Sequence, residues 1–178
     1  MKYFATTVNK NQPTIRIPFA EPFREPPVVL ASPFLLQENT PFPAGGVGGV
    51  PTITDIATDA VTLTDSNAAS NYYVNILAVD ASAQSLDGLP VTVGSYNKNA
   101  TNQTLQLNSP APSVILVSPY YQNGGVGHVE TLYSQTPIDF ASSSAVVTSD
   151  NMADNYYLNY AGLALSGESP VQTGIVNK

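Results

Sequence analysis

The chain has 178 residues, with 6 Lys+Arg, 13 Asp+Glu, one His, no Cys and no Trp, and a net charge of -7. After Arg24 the next base is Lys98 and the last is Lys178, so no basic patch for nucleic acid can be built. The absence of Cys removes disulfides, zinc ribbons and thiol catalysis, and a single His removes multi-His metal sites.

Charged residues make up only 11% against 43% hydrophobic, and 16 Ser, 16 Thr and 15 Asn supply much of the polar remainder. These types favour turns and strands with polar faces over helix interiors. The composition therefore points to a soluble all-β binding or structural module, with no catalytic residues and no cofactor to name.

Taken in chain order, the N-terminal MKYFATTVNK lacks the apolar core of a secretory signal. Thr14 to Phe19 alternates, with Ile15 and Ile17 on one face, and Val28 to Ala31 is a continuous apolar run of the kind a buried sandwich strand shows. Pro41 and Pro43 lead into Gly45-Gly46-Val47-Gly48-Gly49-Val50, an extended loop. It lacks the Lys-Ser/Thr of a phosphate loop, and no helix follows it.

Thr52 to Ala57 alternates imperfectly and Ala60 to Thr64 cleanly. Tyr72 to Val79 is rich in aromatic and β-branched residues, and Asp80 to Gly88 reads as a linker. Beyond it, Thr104 to Leu107, Val114 to Val117, His128 to Tyr133, Ala145 to Thr148 and Tyr156 to Leu165 read as strands. No apolar run is long enough to span a membrane as a helix.

Three blocks recur in the same order. Pro26 to Phe34 matches Pro112 to Tyr120 at an offset of 86, and Gly45 to Val50 matches Gly124 to Val129 at 79. Asn67 to Asn75 matches Asn151 to Asn159 at 84. Such register identifies an internal duplication. The expected architecture is two tandem antiparallel β-sandwich repeats of about six strands each, residues 1–86 and 87–178. Ser169-Pro170-Val171 and Val176-Asn177-Lys178 echo Leu89-Pro90-Val91 and Val8-Asn9-Lys10, so the tail resembles the start of a further repeat or a strand that returns to the N-terminus.

The order Pro-x-Val-Val/Ile-Leu, Gly/Val loop, Thr-rich strand and Asn-Tyr-Tyr-x-Asn resembles the H-type lectin domain. Ile53 to Leu63 corresponds to its middle strands, and Tyr73 to Val79 to its last strand. The Trp which that family carries near the end of the last strand is replaced here by Ile76. The resemblance implies a six-stranded antiparallel sandwich, trimeric assembly, and galactose or N-acetylgalactosamine binding between neighbouring subunits. None of its sugar ligands maps residue by residue onto this chain.

The candidate ligand-binding residues are therefore read from the chain itself. His128 is presented by a glycine turn, Tyr121 and Tyr133, with Tyr120, add aromatic groups to that loop region, and Asp150, Asn151 and Tyr156 open the last strand. Imidazole, phenol, carboxylate and amide all hydrogen-bond sugar hydroxyls, and tyrosine rings stack on sugar faces. The same Asp and Asn also form Asx turns unaided, and no calcium-loop spacing or other metal site is present.

The expected function is a non-enzymatic, multivalent glycan-binding protein that homo-oligomerises as a trimer or dimer of tandem chains. The alternative is a structural or assembly subunit of a particle, appendage or toxin complex. Localisation stays open between cytoplasmic synthesis and a non-classical route of release.

Overall fold

A computed structural model describes residues 2–35, 52–64, 68–97, 102–106, 114–122, 138–141, 144–148 and 154–164. Among them the chain is all β, with no helix. The strands are β1 (Tyr3–Asn9), β2 (Thr14–Pro18), β3 (Val28–Leu35), β4 (Thr52–Ile56), β5 (Ala60–Thr64), β6 (Tyr72–Val79) and β7 (Ser85–Leu86). They continue as β8 (Leu89–Asn97), β9 (Asn102–Gln106), β10 (Val114–Tyr121), β11 (Ile138–Ala141), β12 (Ser144–Thr148) and β13 (Tyr156–Leu163). The expected strand His128 to Tyr133 and the echoing C-terminal segment lie outside the described residues.

β1-β6-β3 form one sheet, β2-β5-β4-β10-β13-β8-β7 a second and β11-β12-β9 a third. The first packs on the β2-β5-β4 end of the second as a two-layer sandwich. Its core takes Val29, Ala31, Tyr72, Val74, Ile76 and Ala78 from one layer and Ile17, Ile53, Val61 and Leu63 from the other. In β6, Tyr72, Val74, Ile76 and Ala78 are buried, while Tyr73, Asn75 and Leu77 are on the opposite face. This is the period of two that a pleated strand imposes. Phe19 and Phe23, edge-on at 5.1 Å, close the sandwich beside β2.

The imperfect alternation of Thr52 to Ala57 has a structural cause. The β4–β5 register shifts between Ile53 and Asp55, so Thr54 is an extra residue. A bulge of this kind breaks the period of two and turns the strand. As a result Thr52, Ile53 and Thr54 are all buried in succession.

Besides the short β7, three strands were missed by the sequence reading. β1 and β8 each flank a central strand, and their polar alternations carry little apolar signal. β11 is only four residues long. The expected linker contains a hairpin instead: Ser85-Leu86 pairs with Leu89-Pro90 across Asp87-Gly88. Both turn residues have positive φ, 48° and 87°. Asp-Gly in that conformation is the favoured two-residue hairpin turn.

The strand registers in the two halves of the chain correspond. In β3–β6, Ser32 lies opposite Asn75 and Leu35 opposite Tyr72. In β10–β13, Ser118 lies opposite Asn159 and Tyr121 opposite Tyr156. In β1–β6, Asn9 faces Tyr73, and in β8–β13, Asn97 faces Tyr157. Asn9 Nδ2 donates to Ser70 O, and Asn97 Nδ2 donates to Asp154 O. β2-β5-β4 has the same order as β9-β12-β11.

Lys10, which follows β1, is wholly buried. Its Nζ donates to the carbonyls of Gln12 and Pro13 at 3.0 Å each and sits 5.8 Å from the Tyr72 ring centroid. A buried ammonium needs such carbonyl and ring partners to offset its desolvation.

Candidate functional site

The halves of the chain meet in two ways. At one end β4 and β10 lie parallel, with Ile53 beside Tyr120, and this joins the two parts of the seven-stranded sheet. Further along, the outer edge of β3 lies on the outer face of β10 and β13. Ala31 N donates to Ser118 Oγ at 2.9 Å, and the same hydroxyl donates back to Ala31 O at 3.2 Å. Asn159 Nδ2 donates to Val29 O at 2.9 Å. Leu30 and Leu77 pack there with Val91, Val93, Ala161 and Leu163.

The tyrosine pairs sort by face. Tyr121 and Tyr156 are cross-strand partners 5.0 Å apart, with 2% and 0% of their surface exposed, inside a cluster with Leu158 and Tyr160. They were expected to touch a ligand. Their burial corrects that expectation, because both rings are spent on core packing. Their neighbours Tyr120 and Tyr157 point to the opposite, outer face. These are also cross-strand partners, with centroids 5.8 Å apart and planes tilted by 40°, and both are half-buried.

The sequence did carry a signal for this assignment. Tyr157 shares its parity with Asn159, and a polar residue at alternate positions marks the outer face.

Tyr120 also packs against the core of the first sandwich. Its hydroxyl is pushed above the ordinary tyrosine range, first by burial, then by the Asp55 carboxylate and by Tyr157. Asp55 is exposed and directly follows the β4 bulge. The bulge thus places a carboxylate from one half of the chain beside an aromatic pair from the other. The seam offers two phenol hydroxyls, two ring faces and one carboxylate.

His128, Tyr133, Asp150 and Asn151 lie outside the described residues. Among the described residues no group of three or more His, Cys, Asp or Glu is arranged to hold a metal ion. No helix there is long and apolar enough to cross a membrane. Comparison with protein-family models, curated proteins and solved structures finds no match.

Proposed function

We propose that the chain is a non-enzymatic carbohydrate-binding protein whose site lies at the seam between β4 and β10. The observation that carries this reading is the outward Tyr120–Tyr157 pair beside the exposed Asp55. A tilted pair of half-buried rings offers an apolar surface to sugar C–H groups at little entropic cost, since each ring is already held by packing. A nearby carboxylate accepts hydrogen bonds from sugar hydroxyls. The scarcity of charge elsewhere suits a neutral, polyhydroxylated ligand. Galactose-type sugars are the first probes, on the strength of the resemblance to H-type lectins.

The two halves, 1–86 and 87–178, are read as copies of one six-stranded sandwich, supported by the matching registers and the matching Asn9 and Asn97 hydrogen bonds.

A glycan array with the purified chain, followed by competition with free galactose and N-acetylgalactosamine, tests the function. Asp55→Asn and Tyr157→Ala are expected to weaken binding about tenfold or more, the effect of losing about 1.4 kcal/mol. No glycan bound at high protein concentration would refute the function. Binding that survives both substitutions would remove this seam from it.

The second reading, an assembly subunit, is favoured by a separate observation: Ser32, Asn75 and Leu116, which correspond by register to Ser118, Asn159 and Leu30 of the junction, are exposed.

A further inference from the structure

We infer that two copies of this chain pair through β1. The outer edges of the two strands meet antiparallel across a two-fold axis and join the two β1-β6-β3 sheets into one continuous sheet. The contact does not involve the seam between β4 and β10 and is independent of sugar binding.

The first two sheets have four edge strands, β1 and β3 in one, β2 and β7 in the other. Three of them are protected. The outer edge of β3 docks on Ser118 and Asn159. β2 carries Arg16 at its centre and Pro18 at its end. β7 is only two residues long. Cover, charge, proline and shortness are the usual means by which a sheet edge avoids further pairing. β1 has none of them. Its sequence Tyr-Phe-Ala-Thr-Thr-Val-Asn holds no charge and no proline. Its register against β6 runs unbroken from Tyr3 to Asn9, so no bulge turns the edge away.

The backbone of β1 is aimed in a definite way. Lys10 N donates to Tyr72 O at 2.8 Å, and Asp80 N donates to Lys2 O at 2.9 Å. These bonds lie just beyond the two ends of β1 and fix its alternation. Hydrogen-bonded and non-hydrogen-bonded pairs alternate along an antiparallel ladder, so Phe4, Thr6 and Val8 exchange bonds with β6. Tyr3, Ala5, Thr7 and Asn9 therefore turn their N–H and C=O groups to the outer edge. Among the described residues none of these groups has a backbone partner. The side chains of three of them are held within the chain. Tyr3 Oη donates to Asp87 Oδ2, Thr7 Oγ1 to Asn75 Oδ1 and Asn9 Nδ2 to Ser70 O. Ala5, in the middle of the row, is exposed.

A second β1 is the occupant that matches this edge. The free groups all lie on odd-numbered residues, so a copy turned about a two-fold axis offers a donor for each acceptor. With the axis at Ala5, Ala5 faces Ala5 and Tyr3 faces Thr7, and about six backbone hydrogen bonds form. Phe4 then faces Thr6, and the exposed Lys2 faces Val8 of the second copy. Lys10 is buried within its own chain. No like charges meet in this register, whereas an axis at Thr6 would set Lys2 opposite Lys10. The same patch serves both copies, so the contact closes at two chains.

The test is sedimentation velocity on the whole chain, without sugar. A single strand pair is a small interface, so the range runs from about 10 µM to about 1 mM. Wild type is expected to pass from monomer to dimer and to grow no further. Ala5→Pro deletes an N–H that faces the edge and spares the bonds to β6. It is expected to weaken dimerisation about tenfold or more with circular dichroism unchanged. Thr6→Pro deletes an N–H bonded to β6 and is expected to lower the melting midpoint instead. Ala5→Lys and Ala5→Glu each set like charges across the axis, and each alone is expected to weaken dimerisation about tenfold or more. Mixed in equal amounts, they are expected to form a one-to-one dimer. The Lys and Glu pair carries the test should the Pro variant disturb the fold.

A wild type that stays monomeric throughout overturns the inference and leaves the edge to an extended segment of another protein. Growth past two chains, Lys or Glu variants that dimerise like wild type, or a mixture that stays monomeric overturn it too. Sugar binding is scored separately on the array, so the failure of one reading leaves the other standing.

Discussion

Ser118→Ala removes one oxygen atom, and the geometry of the junction gives it a large cost. Ala31 lies opposite Ile76 in the β3–β6 pair, yet its N–H and C=O both turn outward to the Ser118 hydroxyl. In an antiparallel ladder alternate residues point their backbone groups away from the partner strand, so Ala31 has no second chance within its own sheet. Ser118 is 2% exposed and Ala31 5%.

The substitution therefore leaves one buried donor and one buried acceptor without their partner, at about 1–3 kcal/mol each. A combined loss of about 2–4 kcal/mol allows for partial relaxation. For a chain of this size it corresponds to a midpoint lower by roughly 4–16 °C. Ser32→Ala, the corresponding exposed position, is expected to change the stability of the dilute chain by no more than about 0.5 kcal/mol. Equilibrium urea unfolding at low protein concentration, with the slope checked for constancy, measures both. A Ser118→Ala variant within about 0.5 kcal/mol of wild type would refute the reasoning, because the junction would then not depend on this hydroxyl.

Two further expectations concern single sites. A Cβ at Gly94 would lie 2.6–2.8 Å from the ring and hydroxyl of Tyr160, its cross-strand partner, so Gly94→Ala must displace a ring that also packs on Tyr96. A loss of about 1–3 kcal/mol is expected by urea unfolding, and an unchanged midpoint would show that the ring moves freely. Asp80 Oδ1 accepts from Ser82 Oγ at 2.6 Å and from Ser82 N at 2.8 Å, which holds its carboxyl below the ordinary aspartate range. A depressed folded-state value contributes stability above the ordinary aspartate pKa and loses it as pH falls through the folded value. The difference in melting temperature between wild type and Asp80→Asn should therefore shrink as the solution is acidified, and a difference that does not vary with pH would contradict this.

Local pattern was a good guide wherever one face of a strand met a core. Val28 to Ala31, Ala60 to Thr64 and Tyr72 to Val79 were readable as strands because their buried residues are strongly apolar. Tyr121 and Tyr156 were read as ligand contacts, yet each is the inward, buried member of its Tyr-Tyr pair. Choosing the outward ring requires the parity of the whole strand, here marked by Asn75 and Asn159. β1, β8 and β11 escaped notice because flanking and short strands carry weak patterns. Their membership of a sheet is decided by the strand beside them.

By itself the sequence determined the all-β class, the recurrence of three blocks in order, and a surface chemistry of hydroxyls and amides with little charge. These are local or compositional properties, and each residue carries its share of them. Only the tertiary structure decided that β4 and β10 share a sheet, that β3 rests on Ser118 and Asn159, and that Asp55 stands beside Tyr120. The hydrogen bonds at that junction link residues 87 and 130 positions apart. No periodicity extends over such distances. These contacts follow from which assembled surfaces fit one another, and from backbone groups at a sheet edge that had to find partners once buried.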